Sequence, residues 1–431
     1  MIITSLALLL SAIGARPDTV PVVTLAEALR RAVRLDPAYV QALVQLDNAE
    51  AARRTARLAF LLPTVNATTS YSHLSTQQFN LGTGQPATSS ASASLDARYE
   101  LFNGGRNLAE AKRSAAALEA AQAGEAGERF TIAAQVERAY YDVLGARELL
   151  DVGQQRLVRA QEQLGTARAR VVSGATVQSD SLQVLLEVQR AGTEVQRRQA
   201  DLLVSQLELV RRIGSDRGAD AAPLDSLPPP PLPVTLEEAV QYASTQGPAW
   251  LQARANERAA EYQVRARVGS YFPTVALTAS LGKFDAKFFP TLTTRRSAGF
   301  TISLPLWDGA QRELALAALR SNRTLATATR QSLETATRHD VTQAYTGYEV
   351  ARGSLASALT GVVVAGEIYR VQEARYRAGA ATVLELLDAQ AQLVQAQADV
   401  VQARYSVRLA QASLEVLLGR RLSSVPDRSD P

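Results

Sequence analysis

"RLAFLLPTVNATTSY" at residues 57–71 and "RVGSYFPTVALTASL" at 267–281 follow one pattern. In each, a helix-like stretch stops at a proline, Pro63 or Pro273, and polarity then alternates residue by residue. Proline inside a helix removes a hydrogen bond, while period-two alternation is what a strand with one polar face requires. Both stretches therefore switch from helix to strand at the same point, and the chain reads as two copies of one design.

The match extends in both directions. "VTLAEALRRAVRLDPAYVQA" (23–42) returns as "VTLEEAVQYASTQGPAWLQA" (234–253), and "LFNGG" with Gly104 returns as "LWDGA" with Gly309. From there the offset stays at 205: Ala139-Tyr140 matches Ala344-Tyr345, Gly174 matches Gly379, and Ile213-Gly214 matches Leu418-Gly419. So long a stretch without insertions fits rods locked in register. "LDSLPPPPLPV" (224–234) separates the copies and predicts an extended polyproline linker.

Residues 24–61 and 235–270 predict helix, with Thr24 and Thr235 as N-caps and Glu27 and Glu238 completing capping boxes. The strands follow. Val65, Ala67 and Tyr71 alternate with Asn66, Thr68 and Ser70, and Val275, Leu277, Ala279 and Leu281 with Thr274, Thr278 and Ser280. Ala93, Leu95, Ala97, Tyr99 and Leu101 alternate with Ser92, Ser94, Asp96, Arg98 and Glu100; Ala298, Phe300, Ile302, Leu304 and Leu306 with Ser297, Gly299, Thr301, Ser303 and Pro305. A half-buried soluble sheet alternates in the same way. Runs of about ten residues with a clean polar face, ended by Phe102 and Trp307, favour strands crossing a bilayer.

After Gly104 and Gly309 the helical period runs to Ser173 and Ala378, a rod on the order of 100 Å long. Gly174 and Gly379 break it, and a second helix returns. Leu386, Leu393, Val400, Val407 and Leu414 recur every seventh residue, with Ala389, Ala396, Ala403, Ala410 and Leu417 three places on. Tyr348, Leu355, Val362, Tyr369 and Tyr376 keep the interval on the outgoing helix, and Val188, Val195, Leu202 and Leu209 echo it in the first copy. These are coiled-coil seams.

Composition removes most alternatives. The 431 residues contain no Cys, one Met and two His, His73 and His339, which excludes disulfides, thiol catalysis and Cys-based zinc sites. There is no P-loop and no HExxH, Gly82 and Gly84 sit in a loop, and Ser-Asp-Ser at 179–181 lacks the Ser-x-x-Lys of a β-lactamase. We expect no enzyme and no cofactor. The net charge is +4 with scattered arginines, so no nucleic-acid interface is expected. "MIITSLALLLSAIGA" (1–15) predicts a signal peptide, with a buried strand as the alternative; cleavage near Gly14 or Ala15 leaves no Cys for a lipid anchor. No other stretch reads as a transmembrane helix.

Four strands cannot close a barrel, and lipid does not tolerate open edges, so chains must pool strands; three chains supply twelve. The expected domains are a signal peptide (1–15), a first repeat (16–223; strands about 64–73 and 91–102, hairpin about 105–214) and the linker (224–234). A second repeat (235–420; strands about 274–283 and 297–307, hairpin about 309–419) and a flexible tail (421–431) follow.

With its strand-to-helix junctions and "YRAGAATVLELLDAQ" (376–390), the duplicated pattern resembles the TolC-type outer-membrane efflux proteins of Gram-negative bacteria over residues 23–420. The resemblance implies a homotrimer: a 12-stranded barrel in outer-membrane lipid, continued by a periplasmic helical barrel. It also implies docking onto a periplasmic adaptor protein and an inner-membrane transporter. A periplasmic coiled-coil adaptor is the alternative, but adaptors have one hairpin flanked by soluble β domains.

Read alone, Thr382-x-x-Glu385 is a capping box, and acids suit a helix N-terminus. The resemblance implies that Glu385 and Asp388 point into the entrance as an acidic ring, that Tyr376 and Asp180 share a hydrogen bond holding it closed, and that the tips around Gly174 and Gly379 receive the adaptor. Tyr376 equally fits plain heptad packing. One gating arginine of the family pattern is replaced by Ala381, and the exported substrate is not readable from these residues.

Overall fold

A computed structural model describes residues 21–80, 84–216, 218–223, 231–286 and 293–422. The expected signal peptide, most of the linker and nearly all of the tail lie outside the described residues.

The chain opens with β1 (Val22–Val23), α1 (Leu25–Leu35) and α2 (Pro37–Leu61), then β2 (Thr64–Asn80) and β3 (Gln85–Asn103). Helices α3 (Arg106–Val172) and α4 (Gln178–Ile213) form the first hairpin, and β4 (Asp220–Ala221) closes the first half. The order recurs as α5 (Leu236–Gln246), α6 (Pro248–Val268), β5 (Thr274–Asp285), β6 (Thr293–Ser303), α7 (Gln311–Arg377) and α8 (Val383–Leu418). Outgoing helices have 67 residues and returning ones 36 in both halves. The extra length of α3 and α7 packs on α2 and α6.

Four details differ from the sequence reading. The helices expected as continuous over 24–61 and 235–270 are each split, because Pro37 and Pro248 occupy helix position N1 and start new helices. Asp36 caps α2 through the Ala38 N–H at 2.8 Å. Thr235 and Glu238 form a full capping box, but Glu27 turns to Arg30 and Arg31, so Thr24 caps α1 alone. The first two strands run well past 73 and start before 91: Gln78–Asn80 pair with Gln85–Ala87 beyond a register shift, by backbone bonds that leave no mark on side-chain alternation. β6 stops at Ser303 because Pro305 has no N–H to give a sheet, which leaves Trp307 outside the strand.

β2, β3, β5 and β6 form one antiparallel sheet in that order, with β2 and β6 as free edges. Its register sorts the faces. Tyr99, Leu277 and Phe300 align across three strands, as do Leu95, Leu281 and Arg296. On the other face Asp96, Ser280 and Ser297 align, beside Arg98, Thr278 and Gly299, and serine pairs 70/92 and 72/90 bond at 2.7 and 2.8 Å.

Two positive-φ residues turn each strand into its long helix: Gly104 (66°) with Gly105 (79°), and Gly309 (69°) with Ala310 (63°). A Cβ on Gly104 would overlap the Gly269 carbonyl oxygen and lie 2.9 Å from Phe272 Cβ, whereas Gly309 faces open space. Gly104 therefore serves a close backbone approach and Gly309 only the turn.

The core lies midway along the helices. Tyr140, Val136, Leu209 and Ile213 pack on α1, and the Tyr140 hydroxyl donates to Ala222 O at 2.7 Å. Its counterpart Tyr345 reaches Val234 O at 3.4 Å, over a second cluster of Val341, Leu414 and Leu418. Equivalent tyrosines thus tie down the segments flanking the helix pairs. The expected heptad residues Leu386, Leu393, Val400, Val407 and Leu414 are all buried. Beside them Arg421 bridges two buried acids, Glu137 and Glu415, and burial raises the Glu137 carboxyl above its ordinary range against the pull of Arg421.

One helix departs from expectation. α7 contains an 18-residue stretch apolar enough to cross a membrane, yet mostly exposed in the single chain. Val350, Val363, Val364 and Val371 lie uncovered along it, as do Leu182, Leu186, Leu203, Val204 and Leu207 on α4.

Candidate functional site

The functional candidates collect at the hairpin tips. Both outgoing helices end in the same way: Ala175 N donates to Arg170 O (2.9 Å) and Gly174 N to Val171 O (3.0 Å), matched by Ala380 N to Arg375 O (2.8 Å) and Gly379 N to Tyr376 O (3.0 Å). These are Schellman caps, and they require the positive φ of Gly174 (74°) and Gly379 (80°).

The returning helices begin differently. Thr382 caps α8: its Oγ1 accepts from Glu385 N at 3.3 Å while its own N–H donates to Glu385 Oε2 at 2.8 Å. Those bonds hold the Glu385 carboxyl below its ordinary pKa, the backbone bond from Thr382 most of all. Asp388, one turn on, accepts from Gln392 Nε2 at 2.7 Å. Glu385 and Asp388 are both exposed, while Val383 and Leu386 beside them are buried, so the acids line the free face of the first turns of α8. In the first hairpin Val177 stands where Thr382 would be and offers no cap; the Thr176 hydroxyl instead bonds Asp180.

That bond bears on the expected Tyr376–Asp180 link, which is not formed within the chain. Asp180 is engaged by Thr176, and the Tyr376 ring, 3% exposed, packs with Leu164, Ala167, Val184, Val383 and Leu386. Its hydroxyl has no hydrogen-bond partner among the described residues. Burial raises the Tyr376 pKa; Arg170 opposes this and Asp180 adds to it, so the phenol and the carboxylate are near neighbours without touching. Ala381 packs against the same cluster.

The residue that joins the tips is Arg170, which sequence reasoning missed. From the last turn of α3 its Nη1 donates to the Tyr376 carbonyl, and its guanidinium lies over the Tyr376 ring, 4.7 Å from the centroid. One signal existed: Arg170 matches Arg375 at the same offset that relates Gly174 to Gly379. Further up, Gln163 Nε2 donates to the Tyr369 hydroxyl at 3.2 Å and Arg159 reaches Gln397 at 3.4 Å. Polar contacts thus join the two hairpins alongside the apolar cluster around Tyr376, and apolar heptads join the helices within each.

A family model described as "Outer membrane efflux protein" matches residues 28–215 and 239–420. The outer membrane efflux protein BepC of Brucella suis is 25% identical over 264 residues, 60% of this chain and 57% of its own length. Outer membrane protein OprJ of Pseudomonas aeruginosa is 28% identical over 305 residues, 68% of this chain and 61% of its own length. The matched part thus spans less than two thirds of these curated relatives. The crystal structure of the Campylobacter jejuni CmeC outer membrane channel shares the fold, with a TM-score of 0.80 over 94% of this chain and 87% of that one at 15% identity.

Proposed function

Because the chain belongs to the outer membrane efflux protein family, we propose that it is the outer-membrane exit duct of a tripartite efflux or type I secretion system. It conducts and does not catalyse. In this reading the two halves descend from an internal duplication, and three chains pool four strands each into a 12-stranded barrel.

The observation that carries the proposal is the open sheet. β2 and β6 present unpaired edges on a sheet with one apolar face, and hydrocarbon does not accept unpaired backbone groups. Closing β6 of one chain on β2 of the next satisfies both edges. The uncovered apolar residues of α4 and α7 support the same assembly, since neighbouring hairpins would bury them. The polar sheet face then lines a wet lumen.

The hairpins extend the tube into the periplasm. Their tips around Gly174 and Gly379 meet the periplasmic adaptor, which links the duct to an inner-membrane pump. Repeated threefold, Glu385 and Asp388 ring the entrance with negative charge and bias it toward cations. Arg170, holding Tyr376, takes over the closing role that Ala381 cannot fill.

Light scattering of the detergent-purified protein tests the assembly. The reading predicts a protein mass three times the 46.2 kDa of the chain, less any cleaved leader. A monodisperse monomer that needs no detergent would refute it and favour the soluble adaptor.

A further inference from the structure

The apolar face of the sheet ends in cations. Along β5 its outward positions read Val275, Leu277, Ala279, Leu281, then Lys283; along β6, from the helix end outward, Ile302, Phe300, Ala298, then Arg296. Leu281 pairs with Arg296 and Lys283 with Thr294, so Lys283 and Arg296 are diagonal neighbours on one face. Both are exposed, and among the described residues neither forms an ion pair. Arg295, next in the chain, pairs with Gly282 and belongs to the opposite, polar face.

Height decides what these cations can meet. Eight residues separate Val275 from Lys283, about 26 Å along a strand and about 20 Å of membrane height at a tilt near 40°. An outward apolar band is about 25 Å tall, and lipid-facing Lys or Arg is costly at its middle but nearly neutral at its rim. Lys283 therefore lies at the rim farther from the helices. Arg296 starts one register step lower, and its long stem can lift the guanidinium to the same level. Tyr71, 59% exposed, lies one register step beyond Lys283, since it pairs with Ala91 and Ala91 with Asp285; aromatic residues of this kind mark a membrane interface. Ala93 pairs with Lys283 and leaves a shallow floor beside it. Asp285 follows Lys283 on this face and accepts the Ala286 N–H at 2.5 Å.

We propose that Lys283 and Arg296 form a docking site on the outside of the barrel for a phosphate of an anionic glycolipid in the outer leaflet. The acyl chains lie along Leu281, Leu277 and Phe300, and the two cations hold the headgroup phosphate between strands β5 and β6. The site rests on the barrel reading above, because only a bilayer around this face brings headgroups to that height. Charge complementarity selects a phosphorylated lipid over a zwitterionic one.

The test is native mass spectrometry of the delipidated, detergent-purified protein titrated with diphosphorylated lipid A or with phosphatidylcholine. Planar-bilayer recordings are made on the same samples. The expected result is preferential retention of lipid A, weakened at least tenfold in a Lys283→Gln/Arg296→Gln double variant with conductance unchanged, and retention changed less than twofold in Arg295→Gln. Equal retention by wild type and the double variant would overturn the site while intact channels leave the barrel standing. An equal loss in Arg295→Gln, or displacement of the lipid by millimolar inorganic phosphate, would also overturn it, as general charge attraction. Absence of channels from the wild type as well would overturn the barrel and the site together.

Discussion

Replacing Arg170 with alanine should loosen the tip. Two interactions are lost at once: a hydrogen bond from a charged donor to the Tyr376 carbonyl, and the guanidinium resting 4.7 Å above the Tyr376 ring. The first kind is worth about 1.5–3 kcal/mol and the second about 0.5–2 kcal/mol. Arg170 is only half-buried and one group makes both contacts, so the combined loss is about 2 kcal/mol per chain. At about 1.4 kcal/mol per tenfold, the closed-to-open ratio falls roughly 30-fold for each hairpin pair. If the three pairs of a trimer open together, the energies add and the entrance is mostly open. Single-channel recording reads this directly, as longer dwell in a high-conductance state. Arg170→Lys keeps the charge but loses the planar fork, and should fall between. A folded Arg170→Ala trimer with wild-type dwell times and conductance would refute the reasoning, leaving the contact structural.

Gly104→Ala should lower the melting temperature far more than Gly309→Ala, because only Gly104 abuts backbone; about 1–2 kcal/mol of left-handed strain is common to both, and similar melting temperatures would contradict the reading. Glu385→Gln with Asp388→Asn should move the cation-to-anion permeability ratio toward unity, and an unchanged ratio would return Glu385 to capping alone. Burial raises the Glu137 pKa in the folded chain, so its contribution to stability is greatest below the ordinary carboxylate pKa and is lost as pH rises through the raised value. Glu137→Gln should therefore flatten the decline in melting temperature across that window, and parallel curves for the two proteins would contradict this.

Much of this architecture is legible because it is periodic. The switch from period 3.6 to period two at Pro63 and Pro273, and the sevenfold recurrence of Leu386, Leu393 and Val400, follow from how helices and strands bury one face. The misses share a different cause. The outer ends of β2 and β3, rich in Ser, Thr and Gln, pair through backbone alone, so no apolar alternation announces them. Pro37 and Pro248 resemble residues inside a helical run, although proline at N1 begins a helix as readily as it breaks one. At the tip, Thr382-x-x-Glu385 was visible because its partners are three residues apart. Arg170 and Tyr376 are 206 positions apart, and only the folded chain brings them together. The Thr176–Asp180 bond spans only four residues, but nothing local shows that it takes the carboxylate expected to bind Tyr376.

The most direct test of the central claim is the conductance of the detergent-purified protein in a planar lipid bilayer. An exit duct with an acidic entrance predicts small, discrete, cation-selective steps that depend on reconstitution. A folded protein that stays soluble without detergent and opens no channel would contradict the account.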